Sequence, residues 1–178
     1  MATKTEQTEF VKQIYPAAKR LYATGGINPL FVTAQAALET GYKIKGIGNN
    51  VFGITKGSNW KGPVSLELTT EYFKTGDVKF KAPERVVSVE QIAPNRYKYR
   101  VYRYFRVYDT LDKCLDDHLA LLKKPMYADA WAYRNDAKEY ARRIVDGIGA
   151  KYATAPNYAP IMASIIDNIE AIVKAQNL

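Results

Sequence analysis

Six of the chain's eleven glycines, Gly41, Gly46, Gly48, Gly53, Gly57 and Gly62, lie between residues 41 and 63, and Pro63 closes the run. Neither a helix nor a strand tolerates that density, because each glycine weakens a regular element and opens backbone conformations that other residues avoid. The segment must be loop-rich, with a backbone that turns often or approaches something closely. It separates two kinds of pattern.

Before it, residues about 6–23 read as a helix. Phe10, Ile14, Ala17, Ala18 and Leu21 recur at spacings of 3 and 4, and Gly25-Gly26 ends the run. A second helix opens at Asn28-Pro29, a favourable N-cap followed by a proline at the first helical position. It turns Leu30, Phe31, Ala34, Ala37 and Leu38 inward and ends near Gly41. After the glycine-rich segment, residues about 64–106 read as β. Val64 to Phe73 is one run, Lys74-Thr75-Gly76-Asp77 a turn, and Arg96 to Phe105 a second long run. The remainder predicts helices over about 109–123, 126–133, 136–147 with Asn135 as N-cap, and 157–176. This order predicts an α+β fold, a mainly helical body with a β-hairpin lobe at about 64–106. A length of 178 residues suits a single domain over residues 1–178.

Composition narrows the function classes. Apolar residues make up 47% and charged residues 25%, which excludes overall disorder and low-complexity classes. Lys+Arg is 26 and Asp+Glu 18, a net charge of +8 that favours an anionic partner such as nucleic acid, an acidic wall polymer or a membrane surface. Residues 74–106 hold nine basic and three acidic side chains, 9 − 3 = +6, so most of the excess lies there. One cysteine, Cys114, rules out an intramolecular disulfide and a cysteine-based metal site. One histidine, His118, would have to serve any Ser-His-Asp, Cys-His or zinc device. It lies in Asp116-Asp117-His118-Leu119 without further ligands at helical spacing and reads as structural. Cys114 shares an apolar face with Leu111, Leu115 and Leu122 and reads as a core thiol. No stretch approaches the ~18–20 apolar residues of a membrane span. The N-terminus runs straight into an amphipathic pattern without a signal-peptide core. The expectation is synthesis in the cytoplasm, with action at the cell wall after release by another route.

Two carboxylates can carry chemistry. Glu39, in Ala37-Leu38-Glu39-Thr40-Gly41, falls in the last turn of a mostly buried helix. The negative end of the helix dipole and partial burial both oppose ionisation, which suits a general acid. The alternative is a solvated glutamate, or one paired with Lys43 or Lys45. Glu71 lies on a strand whose alternation puts Glu67, Thr69, Glu71 and Phe73 on one face. It is otherwise an exposed strand carboxylate. Two carboxylates across a glycine-rich cleft suit glycoside hydrolysis.

Several segments in order carry a resemblance. Ala36-Ala37-Leu38-Glu39-Thr40-Gly41, Gly48-Asn49-Asn50-Val51-Phe52-Gly53-Ile54 and Lys56-Gly57-Ser58-Asn59-Trp60-Lys61-Gly62 come first. Thr69-Thr70-Glu71-Tyr72, Phe105-Arg106-Val107-Tyr108, Pro125-Met126-Tyr127-Ala128 and Lys151-Tyr152-Ala153-Thr154-Ala155-Pro156-Asn157-Tyr158 follow. Together they resemble glycoside hydrolase family 73, the N-acetylglucosaminidases of bacterial autolysins, flagellar-rod hydrolases and phage lysins. The resemblance implies a lysozyme-like fold with the β-lobe beside an active-site cleft, and cleavage of peptidoglycan after N-acetylglucosamine. It implies Glu39 as general acid, Glu71 as second acid and Tyr152 as a tyrosine lining the site. Asn50 and Phe52 match the loop after the catalytic helix, and Trp60, Tyr127 and Tyr158 are candidate sugar contacts. No metal or organic cofactor is implied. Two departures stand out: Gly41-Tyr42-Lys43 lacks the family's second glycine, and the segment from Glu71 to Phe105 is longer than in flagellar members, as an enlarged basic hairpin.

Tyrosine supplies 14 of the 22 aromatics, which suits sugar stacking in a wet cleft. In Arg96-Tyr97-Lys98-Tyr99-Arg100 alternation puts the bases on one face and the rings on the other. Single-stranded nucleic acid would need rings beside the charges, so no specific nucleic acid is expected. The reading is a monomeric endo-β-N-acetylglucosaminidase acting on peptidoglycan glycan strands, of phage-endolysin type, with no obligate protein partner. The competing readings are a muramidase or lytic transglycosylase on the same fold, and a non-catalytic basic binding module.

Overall fold

The computed structural model describes residues 1–44, 47–146 and 157–178. The chain divides into two compact units, one of Met1–Phe52 with Tyr108–Leu178 and one of Gly53–Val107.

The first unit is helical. It contains α1 (Lys4–Ala23), α2 (Pro29–Thr40), α3 (Leu111–Leu122), α4 (Ala128–Trp131), α5 (Ala137–Asp146) and α6 (Tyr158–Gln176). A 3-10 turn at Pro125–Tyr127 precedes α4, so the helix predicted over 126–133 is a tight turn followed by a single helical turn. A reciprocal cap starts α1: the Glu6 amide donates to Thr3 Oγ1 at 3.2 Å and the Thr3 amide to Glu6 Oε2 at 2.7 Å. Asn28 caps α2 by accepting from the Leu30 amide at 2.9 Å, with Pro29 following as the sequence predicts.

Helix α2 is the centre of this unit. Pro29 and every residue from Phe31 to Ala37 are buried, and α1, α5 and α6 pack around it. Ala34, Ala36 and Ala37, all at most 1% exposed, let neighbouring backbones come close. Phe31 meets Tyr140 of α5 edge to face, with ring centroids 4.7 Å apart. Phe10, Ile14, Leu115, Ile144, Met162 and Ile166 extend this core.

The cap of α5 differs from expectation. Asp136 Oδ1 accepts from the amides of Lys138 at 3.1 Å and Glu139 at 3.0 Å. Asn135 instead bridges to the start of the chain. Its carbonyl accepts from Asn28 Nδ2 at 2.9 Å and its Oδ1 from the Tyr22 hydroxyl at 3.2 Å. A carboxylate one residue further along is the better partner for the positive end of a helix, which frees Asn135 for tertiary contacts.

The second unit is an antiparallel sheet of β1 (Val64–Phe73), β2 (Arg85–Ala93) and β3 (Arg96–Arg106) in the order β1-β3-β2. The predicted lobe is present, but not as a simple hairpin. β1 pairs with β3 from Val64↔Arg106 to Phe73↔Tyr97, and the tight reversal is instead between β2 and β3, where Asn95 has φ 54°. β2 escapes the sequence reading because Val86-Val87 and Glu90-Gln91 break the alternation and its side chains up to Ile92 are exposed. Segment 74–84 lies across one face of the sheet. The Tyr99 hydroxyl donates to the Thr75 carbonyl at 3.0 Å and accepts from the Val78 amide at 3.1 Å, and Phe80 approaches Phe73. Tyr99 and Val101 are fully buried on that face.

The separation of rings from bases does not hold through β3. Pairing register puts Arg96, Lys98 and Arg100 on the same face as Tyr102 and Tyr104, and β1 adds Tyr72 opposite Lys98. The alternation changes phase after Val101, and a neighbouring strand supplies a further ring.

No helix among the described residues is long and apolar enough to cross a membrane. Asp136→Ala should lower stability by about 1 kcal/mol, the usual cost of losing an N-cap, in urea unfolding. Asn135→Ala keeps the main-chain carbonyl used by Asn28 and should cost less. A larger loss at Asn135 would overturn the cap assignment.

Candidate functional site

Glu39 follows from the burial of α2. The helix can end only where its last carbonyls find partners. Gly41 provides that end in the left-handed conformation, φ 60°, with its amide donating to the Ala37 carbonyl. Glu39 therefore sits in the final turn, with an exposed residue surface above a buried helix. Burial around its carboxyl pushes the pKa above the ordinary glutamate value. It forms no hydrogen bond or ion pair among the described residues, so Lys43 does not neutralise it, and Lys45 lies outside those residues. A carboxyl that keeps its proton towards neutral pH can donate it to a leaving oxygen.

One turn earlier on α2, Gln35 anchors a buried polar chain. Its Nε2 donates to the Tyr158 hydroxyl at 3.1 Å. Its Oε1 lies 2.6 Å from His118 Nε2 and can only accept, so His118 carries its proton on Nε2. The imidazole stacks on Phe52, with centroids 3.7 Å apart and planes within 9°. Complete burial pulls His118 down to about 3, so it is neutral and structural, as the sequence suggests. Tyr158, 4% exposed at the start of α6, has its hydroxyl pushed well up, first by burial and further by the charge of Glu39. The polar chain thus reaches a hydroxyl that feels the charge of Glu39. Gln35 was missed by the sequence reading, although its polarity within an otherwise apolar helix was the available signal.

Glu71 is placed by β1 in the other unit. It is half-buried, and its Oε1 lies 3.7 Å from Arg103 Nη1. Arg103 is shared: its Nε also contacts Glu84 Oε1 at 3.2 Å, and its guanidinium lies over Phe80. Burial pushes the Glu71 carboxyl up, Arg103 draws it back, and the Glu84 charge raises it again. The net direction is upward, so Glu71 also resists ionisation. Arg103 and Glu84 carried no local signal, because they meet Glu71 only once segment 74–84 crosses the sheet.

Of the remaining candidates, Asn50, Phe52 and Tyr127 belong to the helical unit and Trp60 to the sheet unit. Asn50 and Phe52 are buried, at 8% and 4% exposure, and one ring face of Phe52 is taken by His118. Trp60 donates from Nε1 to the Pro63 carbonyl at 2.9 Å and holds Arg106 over its ring. Its indole fits because Gly62 has no side chain, since a Cβ there would lie 2.5 Å from it. Tyr127 is half-buried, which raises its hydroxyl pKa. Tyr152 lies outside the described residues. Among the described residues no group of three or more His, Cys, Asp or Glu could hold a metal ion. Cys114 is buried, and its thiol is pushed up to about 12, which makes it unreactive.

Helices with a small three-stranded antiparallel sheet are the make-up of lysozyme-like glucosaminidase domains, and the chain belongs to the glucosaminidase family, described as mannosyl-glycoprotein endo-beta-N-acetylglucosaminidase, whose profile matches residues 15–171. It is 30% identical over 171 residues to the peptidoglycan hydrolase FlgJ of Escherichia coli K12, covering 92% of this chain and 47% of FlgJ. It is 28% identical over 173 residues to a probable N-acetylmuramidase of Lactococcus lactis, covering 91% of this chain and 34% of that protein. The chain thus spans about half or less of these relatives. In structure it resembles a peptidoglycan hydrolase mutant from Sphingomonas sp. A1, with a TM-score of 0.69 and 29% identity over 94% of this chain and 99% of that one.

Two outcomes follow from the electrostatics. Arg103→Met removes the cation that draws Glu71 down, so carboxyl NMR titration should show the Glu71 pKa rising further. A fall would overturn the pairing. A carboxyl whose folded pKa exceeds its unfolded value contributes stability below the unfolded pKa, lost as pH rises through the folded one. Glu39→Gln should therefore stabilise the chain at pH 7 in thermal unfolding, with the gain shrinking towards pH 4.

Proposed function

We propose that this chain hydrolyses the glycan strand of peptidoglycan at the bond following N-acetylglucosamine. The observation that carries the reading is Glu39: a carboxyl with a raised pKa and no ion pair among the described residues, held at the end of a buried helix, in a chain of the glucosaminidase family. The family profile spans residues of both compact units, which supports one catalytic domain. The relatives named as peptidoglycan hydrolases support the substrate, and with it action at the cell wall.

In this mechanism Glu39 gives its proton to the glycosidic oxygen as the bond breaks and positive charge grows at the sugar. Glu71 supplies the second carboxylate function, stabilising that charge or activating water. That role needs the ionised form, which burial opposes and Arg103 favours. Tyr152 is proposed to line the site, and Trp60, Tyr127 and Tyr158 to hold sugar. Asn50 and Phe52 shape the loop behind Glu39. A second reading, cleavage at the muramic acid bond, has one observation in its favour: the Lactococcus relative is named a probable N-acetylmuramidase.

The test is mass spectrometry of fragments released from purified peptidoglycan. Reducing N-acetylglucosamine ends are expected, with Glu39→Gln lowering the rate by about 100-fold or more, the usual range for a general acid. Muramic or anhydromuramic ends would move the bond and support the second reading. Fragment release unchanged in Glu39→Gln would remove Glu39 from the mechanism.

A further inference from the structure

The sheet carries a surface that the proposed hydrolysis does not use. Paired residues of an antiparallel sheet share a face, and the register puts Arg96, Lys98 and Arg100 of β3 beside Arg85 of β2 and Tyr72 of β1. Glu71 and Arg103 occupy alternate positions and so the opposite face. Among the residues paired on the basic face, Glu90 is the sole acid. Glu90 stands opposite Lys98, but among the described residues none of Arg85, Arg96, Lys98 and Arg100 forms an ion pair, and of these four only Arg100 hydrogen-bonds there through its side chain, to Thr70 Oγ1 at 2.9 Å. Four positive charges without a carboxylate partner therefore line one strip of sheet. Along β3 they recur every second residue, about 7 Å apart.

Aromatic rings hold two of these cations. The Arg85 guanidinium sits 4.1 Å from the centre of the Tyr102 ring, and that of Arg96 sits 5.2 Å from the Tyr72 ring, itself 52% exposed. A ring beneath a guanidinium restrains it by cation–π attraction. Neither guanidinium makes a hydrogen bond among the described residues, so its forked N–H donors are available to an oxyanion. Three evenly spaced cations on β3 with Arg85 beside them, two of the four held by rings, match a chain of closely spaced anionic groups better than an isolated carboxylate. Nucleic acid fits less well, since single strands bind by stacking bases on free rings, and the Tyr72 and Tyr102 rings already carry cations.

We propose that this face of the sheet is a docking surface for a linear phosphodiester polymer attached to the cell wall, with Arg85, Arg96, Lys98 and Arg100 contacting successive phosphates. The choice of a wall polymer rests on the family of the chain. Binding itself does not depend on hydrolysis.

The experiment measures binding of the full chain to synthetic poly(glycerol phosphate) across a salt series. The variants are Glu39→Gln alone and Glu39→Gln with Arg85→Gln, Arg96→Gln and Lys98→Gln. Circular dichroism and thermal unfolding confirm that each is folded. Losing three phosphate contacts should weaken binding at least tenfold and flatten the slope of log K against log salt by about 2, at roughly 0.7 per contact on a single-stranded polyanion. Arg85→Lys with Arg96→Lys keeps the charge and removes the forks, and should weaken binding several-fold. Affinity and slope unchanged in the triple variant would overturn the proposal. Equal or tighter binding of an oligothymidylate with the same number of phosphates would also overturn it, by assigning the face to nucleic acid. The triple substitution in an otherwise wild-type chain should leave the rate on walls stripped of phosphodiester polymers unchanged. A wild-type chain without hydrolytic activity that still binds the polymer would overturn the enzymatic reading and leave this one standing.

Discussion

A helix buried on every side must solve two problems at its ends, and the solutions at α2 organise the helical unit. At the start, Asn28 and Pro29 satisfy or remove amides that water cannot reach. At the finish, Gly41 turns the chain out through a left-handed conformation that a side chain would resist. Between them, small alanines let α1, α5 and α6 close around the axis. Gln35 is the polar exception, and it is tolerated because both ends of its amide are engaged. Glu39 is placed by this packing: it lies in the last turn before the chain escapes, where desolvation is felt and none of the described residues supplies a partner.

The sheet handles charge differently. On one face, Arg103 is shared between Glu71 and Glu84 and supported by Phe80. Its attraction is divided, which is why burial still governs the direction in which Glu71 shifts. On the other face, cations lean on rings instead of carboxylates. The same strand β3 thus carries a compensated charge network on one side and an uncompensated one on the other.

What the sequence revealed was what is determined locally. The ends of α2, the strands β1 and β3 and the structural character of His118 were legible because capping residues, alternation and isolation from other ligands are read over a few positions. So was Glu39, since its helix and its stop signal are contiguous. What escaped was set by pairing at a distance. β2 lacks an apolar alternation, and Arg103 reaches Glu71 only through the fold of segment 74–84. Asp136 displaced Asn135 as a cap by one residue, a margin at which capping preferences of Asp and Asn do not decide. The rings beside the bases escaped because the alternation was read only over Arg96–Arg100, short of Tyr102, and because Tyr72 joins that face only by strand pairing.

The bonding of His118 bears on how any acid–base behaviour of this chain would be read. Imidazole is the side chain that ordinarily titrates between pH 5 and 8, and here the sole histidine is held neutral through that range. The sole thiol is displaced in the other direction, beyond it. The usual side-chain buffers of neutral pH are therefore silent. Among the described glutamates, desolvation drives Glu39 and Glu71 upward from the ordinary value, towards that window.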